Sequence, residues 1–544
     1  MNTFDVRVHD GFARIGILRI NGEDIHTPTI IETGKIFPSL ADRTFTNLPL
    51  SVPQFDADKY YVPGKDPVSF HPLESCPAVS GDVVMISGWR SALKDARRAI
   101  EYLIALHTGP PPDTARYIPA SALPSNVAIL IATGFDLFDY VAVDLASVQS
   151  KFCMIEGEFD ASYLEKGVCG CEGCQTHNLF LHNRIALNRE IALVKSWIEA
   201  GQTRELIEQR CRLHTEQISL IRRLDRSPLA TRMLPVVRPS QFLVNSAESM
   251  TRPEISFFEE RVINRFVPPR NDICILLPCA ARKPYSISKT HQKFQRTIVG
   301  RAHEVIITSP LGVVPRELEL VYPASHYNVP VTGYWDREES AILVEYVVAY
   351  LKKHQYDRII CHLNGGAKEV AIAASMEVGI DVEFTCIDDC PSSLGSLRAL
   401  NEALKGYRKH RSALISGTLS WQFGELIDTR GWIIKGRYPN LKIYNNEKKT
   451  QLFSIDASTG LLRPTLEGWK FLSGYRVTLS AGFVPQGDVL VPGVESADPK
   501  IREGDEVLVE GPGYLATGKA MMSADEMRRS SRGVAVRVRK SQKI

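Results

Sequence analysis

The sequence predicts a multidomain α/β protein, and three observations carry that reading. At 544 residues the chain exceeds what one hydrophobic core serves, so about three to five domains are expected. Short continuous apolar runs alternate with segments of helical periodicity over roughly the first 400 residues, as in strands covered on both faces by helices. From residue 474 on, closely spaced apolar runs with turn residues between them indicate a compact β-rich module. Apolar residues make up 44% of the chain, enough for packed cores.

Charge and cysteine usage narrow the function classes. A net charge of +3 is weakly basic, so any nucleic-acid surface has to come from local clustering. The eleven cysteines are odd in number and mostly scattered, with three close together at Cys169, Cys171 and Cys174. That pattern fits a reducing compartment and one metal site better than a disulfide framework. The segment Met1–Arg7 lacks an apolar signal-peptide core, and no run approaches ~20 apolar residues. A cytoplasmic protein with no membrane association is expected.

Residues 1–240 form the first region. Ala13–Leu18 and His26–Ile31 read as a hairpin leading into a buried strand, Val83–Ser87 as a second strand, Ser91–Leu106 as a helix and Val127–Ala132 as a third strand. Strands alternating with helices point to a (β/α) barrel. Cys169-Gly-Cys171-Glu-Gly-Cys174 follows, with His177 and His182 close behind. Three thiolates and an imidazole make a closed tetrahedral Zn2+ site whose energy goes into folding, with His182 or His177 as the fourth ligand. Ala186–Leu224 reads as helical, and the proline-rich stretch 226–255 as a domain exit.

Residues 256–405 form an α/β domain. Its first strand, Ile273–Leu277, stops at Pro278 and opens a loop carrying Cys279, Arg282, Lys283, Tyr285, Ser286, Ser288 and His291. Loops at the ends of buried strands are where α/β sheets place their chemistry. Lys283, four residues from Cys279, is expected to lower the thiol pKa and favour the nucleophilic thiolate. Three further strands end in polar loops at Ser309, Asn364 and Asp388-Asp389. If the four strands are parallel, these loops meet along one sheet edge. Residues 410–472 read as a small α+β spacer and 474–544 as the β-rich module. From Lys519 on, that module holds Arg528, Arg529, Arg532, Arg537, Arg539, Lys540 and Lys543 against Asp525 and Glu526, a cationic cluster suited to phosphate contacts.

The pattern Pro278-Cys279-x3-Lys283-Pro284-Tyr285-x2-Ser288-x2-His291 resembles the signature of archaeosine synthase alpha subunits. These are paralogues of archaeal tRNA-guanine transglycosylases. The resemblance extends over essentially the whole chain. It implies a degenerate TIM-barrel-like transglycosylase domain with zinc, an α/β sandwich domain with the signature loop, a small α+β domain and a C-terminal PUA β-barrel that binds RNA. Leu181-His182-Asn183 is similar to the family's zinc-ligand context, which favours His182. Asp139, after Phe138, matches the transglycosylase nucleophile. The glycine-rich loop that holds the exchanged base is reduced to Ser87-Gly88-Trp89, and the arginines expected after the nucleophile are replaced by Val143–Ser147. Asp139 is therefore expected to be inert.

The resemblance further implies a tRNA substrate carrying 7-cyano-7-deazaguanine at position 15, whose nitrile is converted towards archaeosine. The amine comes from a free amino acid, lysine or glutamine, and a radical-SAM partner subunit and a homodimer are expected. A thiolate adds to a nitrile carbon to give a thioimidate that an amine displaces. The expected roles are nucleophile for Cys279 and proton delivery by His291 or Tyr285. Lys283 holds the thiolate or the donor carboxylate, and Asp388 or Asp389 binds the donor ammonium. Ser288 belongs to the same loop. Two rival readings stand beside this one: base exchange through Asp139, and a non-catalytic tRNA-binding scaffold.

Overall fold

The computed structural model describes residues 3–20, 22–32, 68–70, 83–86, 95–238, 242–330, 334–410, 414–437 and 440–543, with 68–70 and 231–233 as backbone only. The expectations placed on Ser87-Gly88-Trp89 and on a helix start at Ser91 lie outside the described residues. The chain divides into two compact units, one of Met1–Ser240, Thr478–Asp505 and Lys519–Val538, the other of Gln241–Val477, Glu506–Gly518 and Arg539–Ile544. No helix among the described residues is long and apolar enough to cross a membrane.

The first unit begins with an antiparallel meander of β1 (Thr3–Asp10), β2 (Ala13–Ile20) and β3 (Glu23–Thr27). Five short parallel strands follow: β4 (Thr29–Ile30), β5 (Val68–Phe70), β6 (Val83–Ile86), β7 (Ala115–Tyr117) and β8 (Leu137–Phe138). They are ordered β4-β8-β7-β6-β5. That is the circular order of a barrel, nearly closed, in which only a β4–β5 pairing is missing among the described residues. The helix Ala96–Thr108 is capped by the Asp95 carboxylate, which accepts from Arg97 N at 2.8 Å. Its Leu103 and Leu106 belong to the buried apolar cluster that also holds Val84, Ile118 and Phe138.

One strand assignment is corrected. Val127–Ala132 is a helix, not a strand. It is the crossover between β7 and β8, and five of its six side chains are buried. A short, fully buried apolar run carries no period to separate helix from strand. The strand lies five residues further on, at Leu137–Phe138, and is only two residues long. The helical stretch expected from Ala186 divides into Leu179–Glu199, Thr203–Cys211 and Thr215–Asp225. The first break is at Gly201, whose φ of +66° suits glycine. Ahead of these helices, the hairpin β9 (Lys151–Met154) and β10 (Gly157–Asp160) leads towards the cysteine cluster.

In the second unit, β11 (Phe242–Leu243) precedes β12 (Cys274–Pro278), β13 (His303–Thr308), β14 (Gly312–Pro315), β15 (Tyr327–Asn328), β16 (Ile359–Cys361) and β17 (Val382–Phe384). The central sheet is ordered β14-β13-β12-β16-β17. β13, β12, β16 and β17 are parallel, and β14 is an antiparallel edge. The four polar loops therefore share one edge of the sheet. β11 and β15 form a separate parallel pair. The helix Leu414–Phe423 is buried nearly throughout, and Trp421 donates to the Phe258 carbonyl at 3.3 Å. A four-stranded antiparallel sheet follows, of β18 (Trp432–Arg437), β19 (Asn440–Asn445), β20 (Gln451–Ile455) and β21 (Leu462–Pro464).

The C-terminal strands are β22 (Arg476–Leu479), β23 (Val489–Leu490), β24 (Val494–Ala497), β25 (Glu506–Gly511), β26 (Tyr514–Ala520) and β27 (Val534–Lys543). They form a six-stranded sheet in the order β23-β27-β26-β25-β22-β24. The helix Ala524–Arg529 starts on a capping box in which Ser523 and Glu526 satisfy each other's backbone N–H groups.

Candidate active site and metal centre

β12 is buried and apolar until Pro278, so the chain emerges at the C-terminal sheet edge with Cys279 as its first loop residue. The loop is held by its own polar groups. Ser288 caps the helix Lys289–Ile298 by accepting from His291 N at 3.2 Å. His291 is fully buried; its Nε2 bonds the Pro278 carbonyl at 2.9 Å and its Nδ1 bonds Arg316 Nη2 at 2.8 Å. A carbonyl can only accept and a guanidinium can only donate, so the imidazole is neutral with its proton on Nε2. Burial, then the Arg316 charge, pushes its pKa down to about 3. Arg316 is itself fixed by Glu304 at 2.7 Å and Glu319 at 2.8 Å, and Glu319 accepts from Ser286 N at 2.9 Å.

A chain of hydroxyls runs behind the thiol. Thr308, the last residue of β13, adjoins Cys279 and acts to lower its pKa, and its hydroxyl lies 2.6 Å from the Tyr327 hydroxyl. Tyr327 in turn lies 2.7 Å from the Tyr285 hydroxyl. Burial raises both phenol pKa values, so each carries its proton at neutral pH. Lys283 Nζ sits 3.5 Å from the centre of the Tyr327 ring. Burial lowers the Lys283 pKa to about 8, with Cys279 opposing the shift.

The expectation of a thiol acidified by Lys283 is corrected. Burial pushes the Cys279 pKa up and outweighs the neighbouring Thr308 hydroxyl and the Lys283 charge, which act downward. At neutral pH the pair is a thiol beside a readily deprotonated amine. Thr308, Tyr327 and Arg316 were not singled out in the sequence. Thr308 stands next to Ser309 at the end of a recognised strand, while Tyr327 and Arg316 carry no local signal.

The remaining loop residues form other contacts. The Ser309 hydroxyl donates to Glu339. Asn364 Nδ2 donates to the Asp389 carbonyl at 3.1 Å, joining the ends of β16 and β17. Asp388 accepts from the Ser393 and Ser396 hydroxyls at 2.8 and 2.9 Å, which keep its carboxyl below the usual range. Asp389 is exposed at φ +51°. With β12 and β17 separated by one strand, this second cluster lies about 10 Å along the sheet from the thiol.

In the first unit, Cys169, Cys171, Cys174 and His182 bring one donor atom each to within 4.8 Å of one another. His182 Nδ1 is 3.3 Å from both Cys171 and Cys174 Sγ, and Nε2 bonds the Cys153 carbonyl at 3.1 Å. That second bond fixes the tautomer that leaves Nδ1 free to ligate. The ring also stacks on Phe152 at 3.7 Å. Gly173 allows the close approach, since a Cβ there would lie 2.2 Å from His182 N. Three sulfurs and an imidazole nitrogen are a donor set that fits a tetrahedral metal ion. His177 is not in this group.

Asp139 is buried and saturated: it accepts from Tyr117 OH at 2.7 Å, Ala120 N at 2.9 Å and Val141 N at 2.9 Å. Of the C-terminal cations, Arg529 donates to the His107 and Pro110 carbonyls at 2.7 Å each, and Arg539 pairs with Glu506 at 2.5 Å. Arg528 pairs with Asp525 at 2.5 Å on the surface, and Arg532 lies 3.8 Å from Asp113. Lys519 and Arg537 are exposed.

Two family models match the chain: a domain of unknown function (DUF5591) over residues 255–404, and a PUA domain over 475–541. The archaeosine synthase subunit alpha of Methanosarcina acetivorans is 37% identical over 503 residues, covering 85% of this chain and 80% of the relative. The archaeosine synthase of Haloferax volcanii is 33% identical over 580 residues, covering 98% of both. More distantly, a tRNA-guanine(15) transglycosylase of Methanobrevibacter smithii is 24% identical over 479 residues, covering 80% of this chain and 67% of the relative. A signature loop set on a parallel sheet, a Cys3His group and a PUA domain thus coincide with close relatives along nearly the whole length, and the chain belongs to the archaeosine synthase family.

Proposed function

We propose that the protein is a tRNA-modifying transferase that adds an amino-acid amine to the nitrile of 7-cyano-7-deazaguanine at position 15 of tRNA. The mechanism is carried by the Lys283 amine, whose nitrogen lies 3.5 Å from the Tyr327 ring, close enough to Cys279 for the two to interact electrostatically, and whose pKa burial lowers to about 8. The neutral amine takes the thiol proton, giving thiolate and ammonium. Sulfur attacks the nitrile carbon, and the ammonium returns the proton to the nitrile nitrogen, leaving a thioimidate and a neutral lysine. The donor amine then attacks the same carbon. The C–S bond breaks, and the proton lost by the amine returns to sulfur through Lys283. The product is an N-substituted amidine and the free thiol.

The proton carrier is Lys283, because His291 has both nitrogens engaged and Tyr285 is a high-pKa phenol within the hydroxyl chain. Those two groups hold the loop. The Asn364–Asp389 cluster is assigned to the donor: Asp388, an ionised and exposed carboxylate, suits the ammonium of lysine or glutamine. The Cys3His group holds Zn2+ in a closed structural site, which supplies folding energy. Base exchange through Asp139 is disfavoured by the saturation of that carboxylate.

Mass spectrometry of nitrile-bearing tRNA incubated with the protein and each amino acid in turn tests the reading. A mass gain equal to one whole amino acid is expected with one donor. Unchanged tRNA with every donor would support the scaffold reading, and label exchange with free guanine the transglycosylase reading.

A further inference from the structure

Charge does not balance in one buried cluster of the first unit. Arg14 is 6% exposed, and its Nε donates to Asp136 at 3.1 Å; its other nitrogens reach the Pro112 and Thr114 carbonyls at 2.5 and 3.1 Å. Arg116, 2% exposed, meets the same carboxylate only through its backbone N–H, at 2.8 Å. Its Nη1 lies 3.2 Å from the Gly134 carbonyl and 3.3 Å from His107 Nδ1. Its Nε has no hydrogen-bond partner among the described residues. His107 adds no charge, since Nδ1 accepts from Arg116 and Nε2 donates to the Thr133 carbonyl at 3.0 Å. Arg14 and Arg116 thus share Asp136, Glu526 is a weaker counter-charge to Arg116 that Arg529 opposes, and an under-compensated buried cation is a costly arrangement.

Both arginines line a cavity of about 490 Å³, together with Arg532 and the exposed Arg537. The carboxylates on its wall have hydrogen-bond or ion-pair partners of their own, although the charge of Glu526 still reaches Arg116. Asp5 pairs with Arg7 at 2.6 Å, Asp113 accepts from Ser531 N and Oγ at 2.7 Å, and Glu526 accepts from Ser523 N and Oγ at 2.8 and 2.9 Å. Glu503 is pushed up to about 8, mainly by burial and then by Glu526, so it is neutral at pH 7. The lining therefore carries more guanidinium than ionised carboxylate: Arg7, Arg14, Arg116, Arg532 and Arg537 against Asp5, Asp113 and Glu526. A guanidinium fork matches a tetrahedral oxyanion, and the volume suits a nucleotide better than a lone ion.

We propose that this cavity binds the phosphate of one nucleotide of the RNA substrate, with Arg116 as the buried contact and Arg537 as the exposed one. The assignment to RNA rests on the tRNA-substrate reading. The phosphate contact would fix the register of the RNA without reading its sequence. A free nucleotide carries the same chemistry, and the test separates the two sources.

The full chain is titrated with adenosine 5′-monophosphate by calorimetry, and with tRNA over a salt series, as wild type, Arg537→Ala and Arg116→Gln. Expected are nucleotide binding that competes with tRNA, a loss of roughly tenfold in tRNA affinity in Arg537→Ala, and a salt slope smaller by about one unit. Arg116→Gln loses nucleotide binding; should it not fold, Arg537→Ala, altered only at an exposed side chain, still decides. Nucleotide binding without competition, at unchanged tRNA affinity, overturns the RNA assignment. No nucleotide binding together with wild-type tRNA affinity and slope in Arg537→Ala overturns the site. Failure of the wild type to bind tRNA would instead overturn the substrate reading, and nucleotide binding alone would then decide the anion site.

Discussion

Lys283 lies with its amine nitrogen 3.5 Å from the centre of the Tyr327 ring. The ring face favours the ammonium, while burial disfavours it, and burial prevails because the pKa falls to about 8. The mechanism needs the neutral amine at the first step, so the rate of thioimidate formation is expected to rise with pH through about 8 and then level. Lys283→Met should lower that rate by about 10²–10⁴-fold, the usual worth of a positioned proton carrier, and flatten the profile. Single-turnover rates across the alkaline range measure this. A parental profile in Lys283→Met would remove Lys283 from the proton path.

His291 should contribute no inflection at mildly acidic pH, because its pKa lies near 3. His291→Ala strands the Arg316 N–H and the Pro278 carbonyl. It should therefore cost about 1–3 kcal/mol of stability for each group left buried and unpaired, read by chemical denaturation. Transfer by the folded fraction should stay within a few-fold. A hundredfold loss of rate at unchanged stability would give the imidazole a chemical role.

Gly173 offers a test of the metal centre that leaves all four ligands in place. Its Cβ would lie 2.2 Å from His182 N, so Gly173→Ala must displace the ligand helix. The variant should lose bound metal and unfold at lower temperature, as His182→Ala should, while His177→Ala keeps about one zinc per chain. Elemental analysis and thermal melts check this. Full metal content in Gly173→Ala would mean that the centre is looser than its geometry.

Legibility in the sequence followed how local each signal is. The Cys-x-Cys-x-x-Cys spacing lies within one turn and marks its site directly, and the Pro-Cys to His motif lies within one strand–loop–helix unit. The parallel sheet was readable because each of its strands runs from apolar residues into a polar loop. The helix at Val127–Ala132 resembles a strand in the sequence because uniform burial erases periodicity, and β8 is too short to show any. Tyr327 joins the hydroxyl chain from a two-residue strand outside the central sheet. Nothing in its local sequence announces a long-range contact of that kind. The pKa of Cys279 is not legible in the sequence, because spacing reports the nearby charge but not the burial that outweighs it.

Asp139→Ala should act on stability rather than transfer. It removes the acceptor of Tyr117 OH, Ala120 N and Val141 N, and each donor left stranded costs about 1–3 kcal/mol. Transfer in the folded fraction should remain within a few-fold. A folded variant slowed about a hundredfold, roughly 2.7 kcal/mol of barrier, would mean that the barrel pocket takes part in the reaction.

The central claim is a covalent bond between Cys279 and the nitrile carbon, and withholding the amine should trap it. Intact-mass analysis of the protein incubated with nitrile-bearing tRNA, then digested with ribonuclease, reads the adduct directly. The account predicts one modified-base adduct per chain, mapped to Cys279, absent in Cys279→Ala and discharged when the donor amino acid is added. Amidine formation by Cys279→Ala at near-parental rate, with no adduct in the parent, would contradict it and point to direct attack by the amine.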